Sequence, residues 1–249
     1  MTDALQETCE DVPDNAHRPH RKLTCAVCGG RAFRHQPVLW DRLIAEWQLS
    51  PEEAVYINRQ QGTHCQRLAN LRSIALAKAI LAWSGCAGTL QEWAATDDVK
   101  RLAILEINEA GTLSPVLRGL PGHVLAEYPQ VDATDLPYAD GSFDLVLHSD
   151  TLEHIPQPVR ALAECRRVLK SGGALCFTVP TVIGRLSRSR AGLPKSYHGD
   201  PAVARDDWAV QTEFGADAWS FVVRAGFGAV SILTVDYPSA TALLARKDP

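Results

Sequence analysis

The sequence predicts an α/β protein with a doubly wound, largely parallel sheet and helices on both faces. Three observations lead there. Past about residue 100, the apolar runs "RLAILEI", "DLVLHS" and "ALCFTVP" alternate with segments of helical spacing. The runs are continuously apolar, as parallel strands covered on both faces should be. Each then breaks into polar residues, at the strand edge where open α/β sheets bind ligands.

Taken in order, residues 1–20 are an acidic, polar lead-in without an apolar segment, so they do not read as a secretory signal. Residues 21–98 read as a mostly helical segment. "VLWDRLIAEW" and "RSIALAKAILAW" carry apolar residues at helical spacing. "LSPEEAVYINRQQG" has Ser50 as N-cap, Pro51 in the first turn, Glu53 completing a capping box and Gly62 as a stop. "TLQEW" repeats the box with Thr89 and Glu92. Trp40, Trp47 and Trp83 are expected to pack this region. Residues 99–249 carry the sheet. "PVRALAECRRVLKSGG" is an amphipathic helix with basic residues in its last turn and Gly172-Gly173 as its end. "GADAWSFVVRAGF" is a further helix, and "AVSILTVDYP" and "ATALLARK" are two closing strands. Residues 181–212 form a lid-like insertion.

A net charge of −4 gives no general attraction to nucleic acid or to anionic membranes. The most apolar helical run is too short to cross a bilayer. Seven cysteines, an odd number without a signal sequence, point to a reducing cytoplasm.

Acidic residues gather at the strand ends: Glu106 in "LEINEAG", then Glu127 and Asp132 in "LAEYPQVDATDLP". A carboxylate there accepts from ribose hydroxyls, and an Asp in the next loop can accept from an adenine amino group. The turn "NEAG" has one glycine and a carboxylate, Glu109, where a pyrophosphate would need amides. The ligand is therefore an adenosine derivative of cationic rather than dinucleotide type. Asp144 and Gly141-Ser142 read as turn structure. Cys165 and Cys176 read as small buried hydrophobes.

"VDATDLPYADGSFDLVLHSDTLEHI" followed by "LAECRRVLKSGGALCFTVP" resembles the class I S-adenosylmethionine-dependent methyltransferases, the group that includes the ubiquinone-biosynthesis enzymes. The resemblance covers roughly residues 100–180. It implies a Rossmann-like sheet of seven strands and S-adenosylmethionine as cofactor. Glu106, Asn108, Ala110 and Gly111 would hold the methionine end, Glu127 and Tyr128 the ribose, Asp132 and Ala133 the adenine. His148 and Ser149 would border the sulfonium. Two departures stand out: Asn-Glu-Ala-Gly replaces the usual glycine-rich turn, and no room is left for a helix after the second strand.

"CAVCGG" offers Cys25 and Cys28 as half of a zinc ribbon. "HCQRLAN" offers Cys65, with Leu68 where a fourth thiol should stand. His64 or His35 would complete the site, or the segment is a metal-free remnant. In the insertion, Arg185, Arg188, Arg190 and Lys195 concentrate positive charge, and "SYHG" supplies Tyr197 and His198. The insertion is then a lid over a small, anionic acceptor, with His198 as general base and Tyr197 or His148 beside it; the alternative is a solvated loop. The expectation is a cytoplasmic methyltransferase acting on oxygen of a small-molecule or sugar-linked acceptor, without nucleic-acid or membrane partners. The competing expectation is a module that binds the cofactor or a partner without turnover.

Overall fold

A computed structural model describes residues 23–197 and 206–248. At the N-terminal end, β1 (Phe33–His35) and β2 (Thr63–Cys65) pair antiparallel, with Phe33 opposite Cys65. Between them lie α1 (Asp41–Glu46) and α2 (Pro51–Gly62). The capping box of α2 forms: Ser50 Oγ accepts from the Glu53 amide at 3.1 Å, and the Glu53 carboxylate accepts from the Ser50 amide at 2.8 Å. That satisfies two donors that a helix start otherwise leaves orphaned. α3 (Leu71–Ser84) is capped by the Asn70 side chain, and Gly85, at φ +72°, ends it. The Thr89–Glu92 box opens α4 (Leu90–Ala94).

The chain then alternates as expected: β3 (Ile104–Ile107), α5 (Ser114–Leu117), β4 (His123–Ala126), β5 (Phe143–Ser149), α6 (Pro158–Val168) and β6 (Leu169–Thr178). A small sheet of β7 (Thr181–Val182), β8 (Arg188–Ser189) and β9 (Thr212–Gly215) interrupts the alternation, in the order β7-β9-β8. α7 (Ala218–Arg224), β10 (Val230–Val235) and β11 (Ala240–Arg246) complete the fold. The main sheet runs β10-β11-β6-β5-β3-β4, with β11 antiparallel to its neighbours and β4, β3, β5 and β6 mutually parallel.

The expected seven strands are six among the described residues. After β4 the chain must reach β5 through residues 127–142, and it spends them on turns. A parallel crossover needs a dozen or more residues and usually a helix. No length remains for both a helix and an edge strand beyond β4. The helix "PVRALAECRRVLKSGG" also ends earlier than expected, at Val168. The Gly141 and Ser142 amides bond the Arg167 and Val168 carbonyls at 3.1 and 2.8 Å, and Leu169 pairs with Phe143 in the sheet.

Period-two alternation sorts the strand residues onto two faces. Ile104, Leu145, Leu147, Ala174, Cys176 and Leu244 pack with α3 and the cysteine turns. Leu105, Val146, Leu175, Phe177 and Leu243 pack on the other face with α6 and α7. Residues 71–84 therefore share a core with the sheet. A third core joins Leu43, Trp47 and Tyr56 to Val182 and Val210, and Trp47 Nε1 donates to Ser196 Oγ at 2.9 Å. No helix among the described residues is long and apolar enough to cross a membrane.

Candidate active site

β4, β3 and β5 finish side by side. Ile107 pairs with Ala126 on one flank and His148 on the other, so Asn108, Glu127 and Ser149 leave the sheet at one level. Glu106, the last acidic residue inside β3, is fully buried and its carboxylate is spent within the chain. Oε1 accepts from the Ala110 amide at 2.7 Å and from the Ser114 hydroxyl, and Oε2 lies 2.6 Å from His123 Nε2. Its work is to hold the 108–114 turn. Asn108, at φ +53°, donates its amide to the Ala126 carbonyl at 2.8 Å and accepts from the Tyr128 amide at 3.1 Å. It thereby clasps the first turn to the acidic loop after β4. Ala110 is buried, Gly111 takes φ +55°, and Glu109 pairs with Arg118.

Glu127, Tyr128 and Asp132 are exposed along that loop, and Ala133 is buried beneath it. Asp132 Oδ1 accepts from the Thr134 amide at 2.7 Å and its hydroxyl at 2.8 Å, an Asx turn that fixes the carboxylate's direction. On β5, His148 is 2% exposed, stacks on Phe177 with ring centroids 4.7 Å apart, and has no hydrogen-bond partner at Nδ1. Burial lowers its pKa to about 4, against a weaker opposing pull from Glu153. It is a neutral ring at physiological pH, which makes it a poor proton acceptor. Ser149 Oγ shares a hydrogen bond of 2.8 Å with Thr178 Oγ1.

One residue at this edge was not singled out in the sequence, and its partner, Asp150, ends the polar run His148-Ser149-Asp150 that closes β5. Arg72, on α3, is buried and donates from Nη2 to Asp150 Oδ2 at 2.9 Å and from Nη1 to Gln60 at 3.4 Å. Asp150 holds φ +49°. The readable signal was a charged residue inside the most apolar helix of the chain; its partner lies 78 positions away.

In the insertion, Tyr197 forms a bridge with Ala209, and His198 lies outside the described residues. The arginines converge on one buried carboxylate. Arg188 Nε lies 2.6 Å and Arg185 Nη1 3.7 Å from Glu213 Oε2, and Arg190 pairs with Oε1. Arg190 is itself buried. Rather than standing free, this charge fastens β8 to β9. An open groove of about 660 Å³ lies between the start of α6 and this sheet, lined by Arg160, Arg188, Thr212 and Arg224.

The thiol ligand atoms of Cys25, Cys28 and Cys65 lie within 4.8 Å of one another, and those of Cys28 and Cys65 are 3.8 Å apart. Burial pushes the Cys25 thiol up to about 12. For Cys28 burial acts the same way, but the Gly30 amide, the neighbouring thiols and Arg67 outweigh it and leave the thiol below its ordinary value. Neither histidine joins them: His64 Nδ1 lies 3.1 Å from the Gly62 carbonyl, and His35 Nδ1 bonds Thr63 Oγ1 at 2.9 Å. Adjacent residues of a strand face opposite ways, which turns His64 from Cys65.

Residues 84–177 match a family described as "Methyltransferase domain". A demethylmenaquinone methyltransferase of Clavibacter sepedonicus is 43% identical over 75 residues, 29% of this chain and 31% of that protein. A sarcosine/dimethylglycine N-methyltransferase of Halorhodospira halochloris is 52% identical over 52 residues, 20% of this chain and 19% of that one. The chain thus spans less than a third of either relative. Among solved structures, a SAM-dependent methyltransferase of Thermotoga maritima is 16% identical with a TM-score of 0.43, over 83% of this chain and 97% of that one. Residues 84–177 thus carry the likeness to a methyltransferase domain, on an α/β fold with a mixed main sheet. Its sheet lacks one edge strand among the described residues.

Proposed function

We propose that this chain is a cytoplasmic S-adenosylmethionine-dependent methyltransferase that methylates a small-molecule or sugar-linked acceptor on oxygen. The observation that carries the reading is the meeting of Asn108, Glu127 and Ser149 at one sheet edge, with Asp132 in the loop that follows β4, inside the matched segment. S-adenosylmethionine supplies an electrophilic methyl group on a sulfonium. The residues fit it: exposed carboxylates for ribose and adenine, an acidic rather than phosphate-binding turn, and a buried, unpartnered His148 Nδ1 at the strand end. Glu127, with Tyr128, accepts from the ribose, and Asp132 from the adenine amino group over Ala133. Asn108, Ala110 and Gly111 shape the methionine end, with Glu106 acting through the turn it holds. Ser149 and the neutral His148 border the sulfonium and keep it from bulk water.

Much of the rate of an in-line displacement comes from holding nucleophile and methyl group in line. The 181–212 insertion is the element for that. Three guanidiniums share Glu213, with Glu53 a further 3.8 Å from Arg185, so positive charge remains in surplus for an anionic acceptor. The groove lined by Arg160, Arg188 and Arg224 suits a phosphate or carboxylate. His198, beside Tyr197, is the candidate base, since an imidazole accepts a hydroxyl proton near neutrality. Cys25, Cys28 and Cys65 hold a zinc outside the transfer step.

Calorimetry with S-adenosylhomocysteine tests the cofactor, with NAD as control. One site per chain is expected. Asp132→Asn keeps the acceptor for Thr134 but loses the charge, and should weaken binding about 10-fold or more, equivalent to about 1.5–3 kcal/mol for a charge-assisted hydrogen bond. Heat with NAD alone overturns the assignment. Binding without any methylated product across an acceptor library favours the non-catalytic module.

A further inference from the structure

The two turns that carry the thiols are built alike, and their comparison gives the residue that corresponds to Cys28 in the second turn. In the first, the Cys25 amide donates to the Gly30 carbonyl at 2.9 Å, the Gly29 amide to the Cys25 carbonyl at 2.7 Å, and Gly29 takes φ +75°. In the second, the Cys65 amide donates to the Ala69 carbonyl at 3.0 Å, the Leu68 amide to the Cys65 carbonyl at 2.8 Å, and Leu68 takes φ +65°. Aligned on these bonds and on the left-handed residue, Gly29 matches Leu68 and Gly30 matches Ala69. The second turn is one residue shorter. The residue before the left-handed position, Cys28 in the first turn, is Arg67 in the second. Leu68, the replacement expected from spacing, occupies the glycine's place with its side chain 68% exposed.

Two thiolates at about 2.3 Å from a tetrahedral zinc stand about 3.8 Å apart. The Cys28 and Cys65 sulfurs are 3.8 Å apart. A disulfide would need about 2.05 Å. A guanidinium has no lone pair to give a metal and cannot lose its proton in a protein. It can, however, draw an anion to itself.

We propose that Cys25, Cys28 and Cys65 bind one zinc through three thiolates and that its fourth position is open to a ligand from solution, an anion or an exogenous thiol, beside Arg67. This rests on the zinc reading of the three thiols. Binding releases the protons of those thiols. Zinc with three thiolates carries one negative charge, which the Arg67 guanidinium balances. Open zinc positions belong to sites that exchange ligands, whereas structural sites are closed by four protein ligands.

Cobalt(II) titrated into the reduced, metal-free full chain tests both layers. One equivalent should raise a thiolate-to-cobalt charge-transfer band, and added cyanide or 2-mercaptoethanol should shift the ligand-field bands. Arg67→Cys supplies a fourth thiolate: its charge-transfer intensity should rise by about a third, and the added ligand should no longer shift the spectrum. Its zinc affinity should rise at least about 10-fold, whereas Leu68→Cys should behave as wild type. No cobalt band and no zinc in the purified chain, or a Cys28–Cys65 disulfide in its place, overturns the metal reading. A wild-type cobalt spectrum indifferent to cyanide and thiol overturns the open position alone. Closure by Leu68→Cys instead of Arg67→Cys overturns the turn alignment. Should Arg67→Cys not fold, the wild-type response to added ligand still decides.

Discussion

Arg72 reaches from inside α3 to Asp150 at the end of β5, Nη2 to Oδ2 at 2.9 Å, and so ties the segment that follows the cysteine turns to the edge of the proposed cofactor site. The Arg72 side chain is 5% exposed and that of Asp150 29%. The pair is therefore partly wet on the acidic side and dry on the basic side. Gln60 on α2 extends the link: it accepts from Arg72 at 3.4 Å and donates to the Thr181 carbonyl at 3.4 Å, where the insertion begins.

Arg72→Ala should cost about 2–3 kcal/mol in urea unfolding. Breaking a fully buried pair costs about 3–5 kcal/mol, and the solvent around Asp150 discounts that figure. The same variant should weaken S-adenosylhomocysteine binding about 5- to 10-fold, because Asp150 holds a left-handed backbone that its partner helps fix. Arg72→Lys should recover the stability only in part, since a compact ammonium lacks the rigid planar spread of donors with which the guanidinium meets Gln60 and Asp150. A variant within about 0.5 kcal/mol of wild type, with unchanged affinity, would remove this link from the account.

His148 makes a prediction about acid stability. Its native ring titrates at about 4 because burial disfavours the cation, whereas the unfolded chain's histidine titrates near 6.5. Between those values the unfolded state takes up a proton that the native state refuses. Stability therefore falls as pH drops through 6.5 towards 4, by up to about 1.4 kcal/mol per unit and about 3 kcal/mol in all. Above about pH 7.5 the residue contributes almost no slope. His148→Phe keeps an aromatic ring against Phe177 and removes the proton site. Relative to wild type, it should gain about 2 kcal/mol on going from pH 7.5 to pH 5, read from urea midpoints at each pH. Parallel stability curves for the two proteins would mean that His148 titrates normally in the fold.

What the sequence made legible follows from the range of the interactions. Both capping boxes, Ser50–Glu53 and Thr89–Glu92, are contacts three residues apart, and both stand where the pattern put them. The parallel strands were readable because burial on both faces leaves them continuously apolar. The end of α6 was not readable, because the Gly141-Ser142 turn takes its last carbonyls from across the sheet. Nor was the role of Glu106 readable, since an acidic strand end serving a ligand and one serving Ala110, Ser114 and His123 look the same in one dimension. The arginines of the insertion were found by composition, but their shared partner was not, because Glu213 lies 23 to 28 positions further on.

That carboxylate is the last residue with a sharp expectation. Glu213 is 2% exposed and Arg190 7%, and Arg188 adds a second contact to Oε1 at 3.1 Å. Truncation by Glu213→Ala takes from Arg188 and Arg190 the carboxylate they share and leaves Glu53, 3.8 Å from Arg185, facing three guanidiniums. Removing one partner of a buried pair costs about 3–5 kcal/mol, and here the loss falls on the pairing of β8 with β9 through Arg188↔Glu213 and Ser189↔Thr212. Hydrogen exchange should show amides of 188–190 and 212–215 losing protection by about 100-fold or more, well beyond any change in β3 and β5. If the insertion holds the acceptor, the Michaelis constant for an anionic acceptor should rise while S-adenosylhomocysteine affinity stays within about twofold. Glu213→Gln, which keeps an acceptor oxygen without the charge, should fall between the two. A Glu213→Ala protein within about 1 kcal/mol of wild type, with the insertion still protected, would show that the arginines are held by other means.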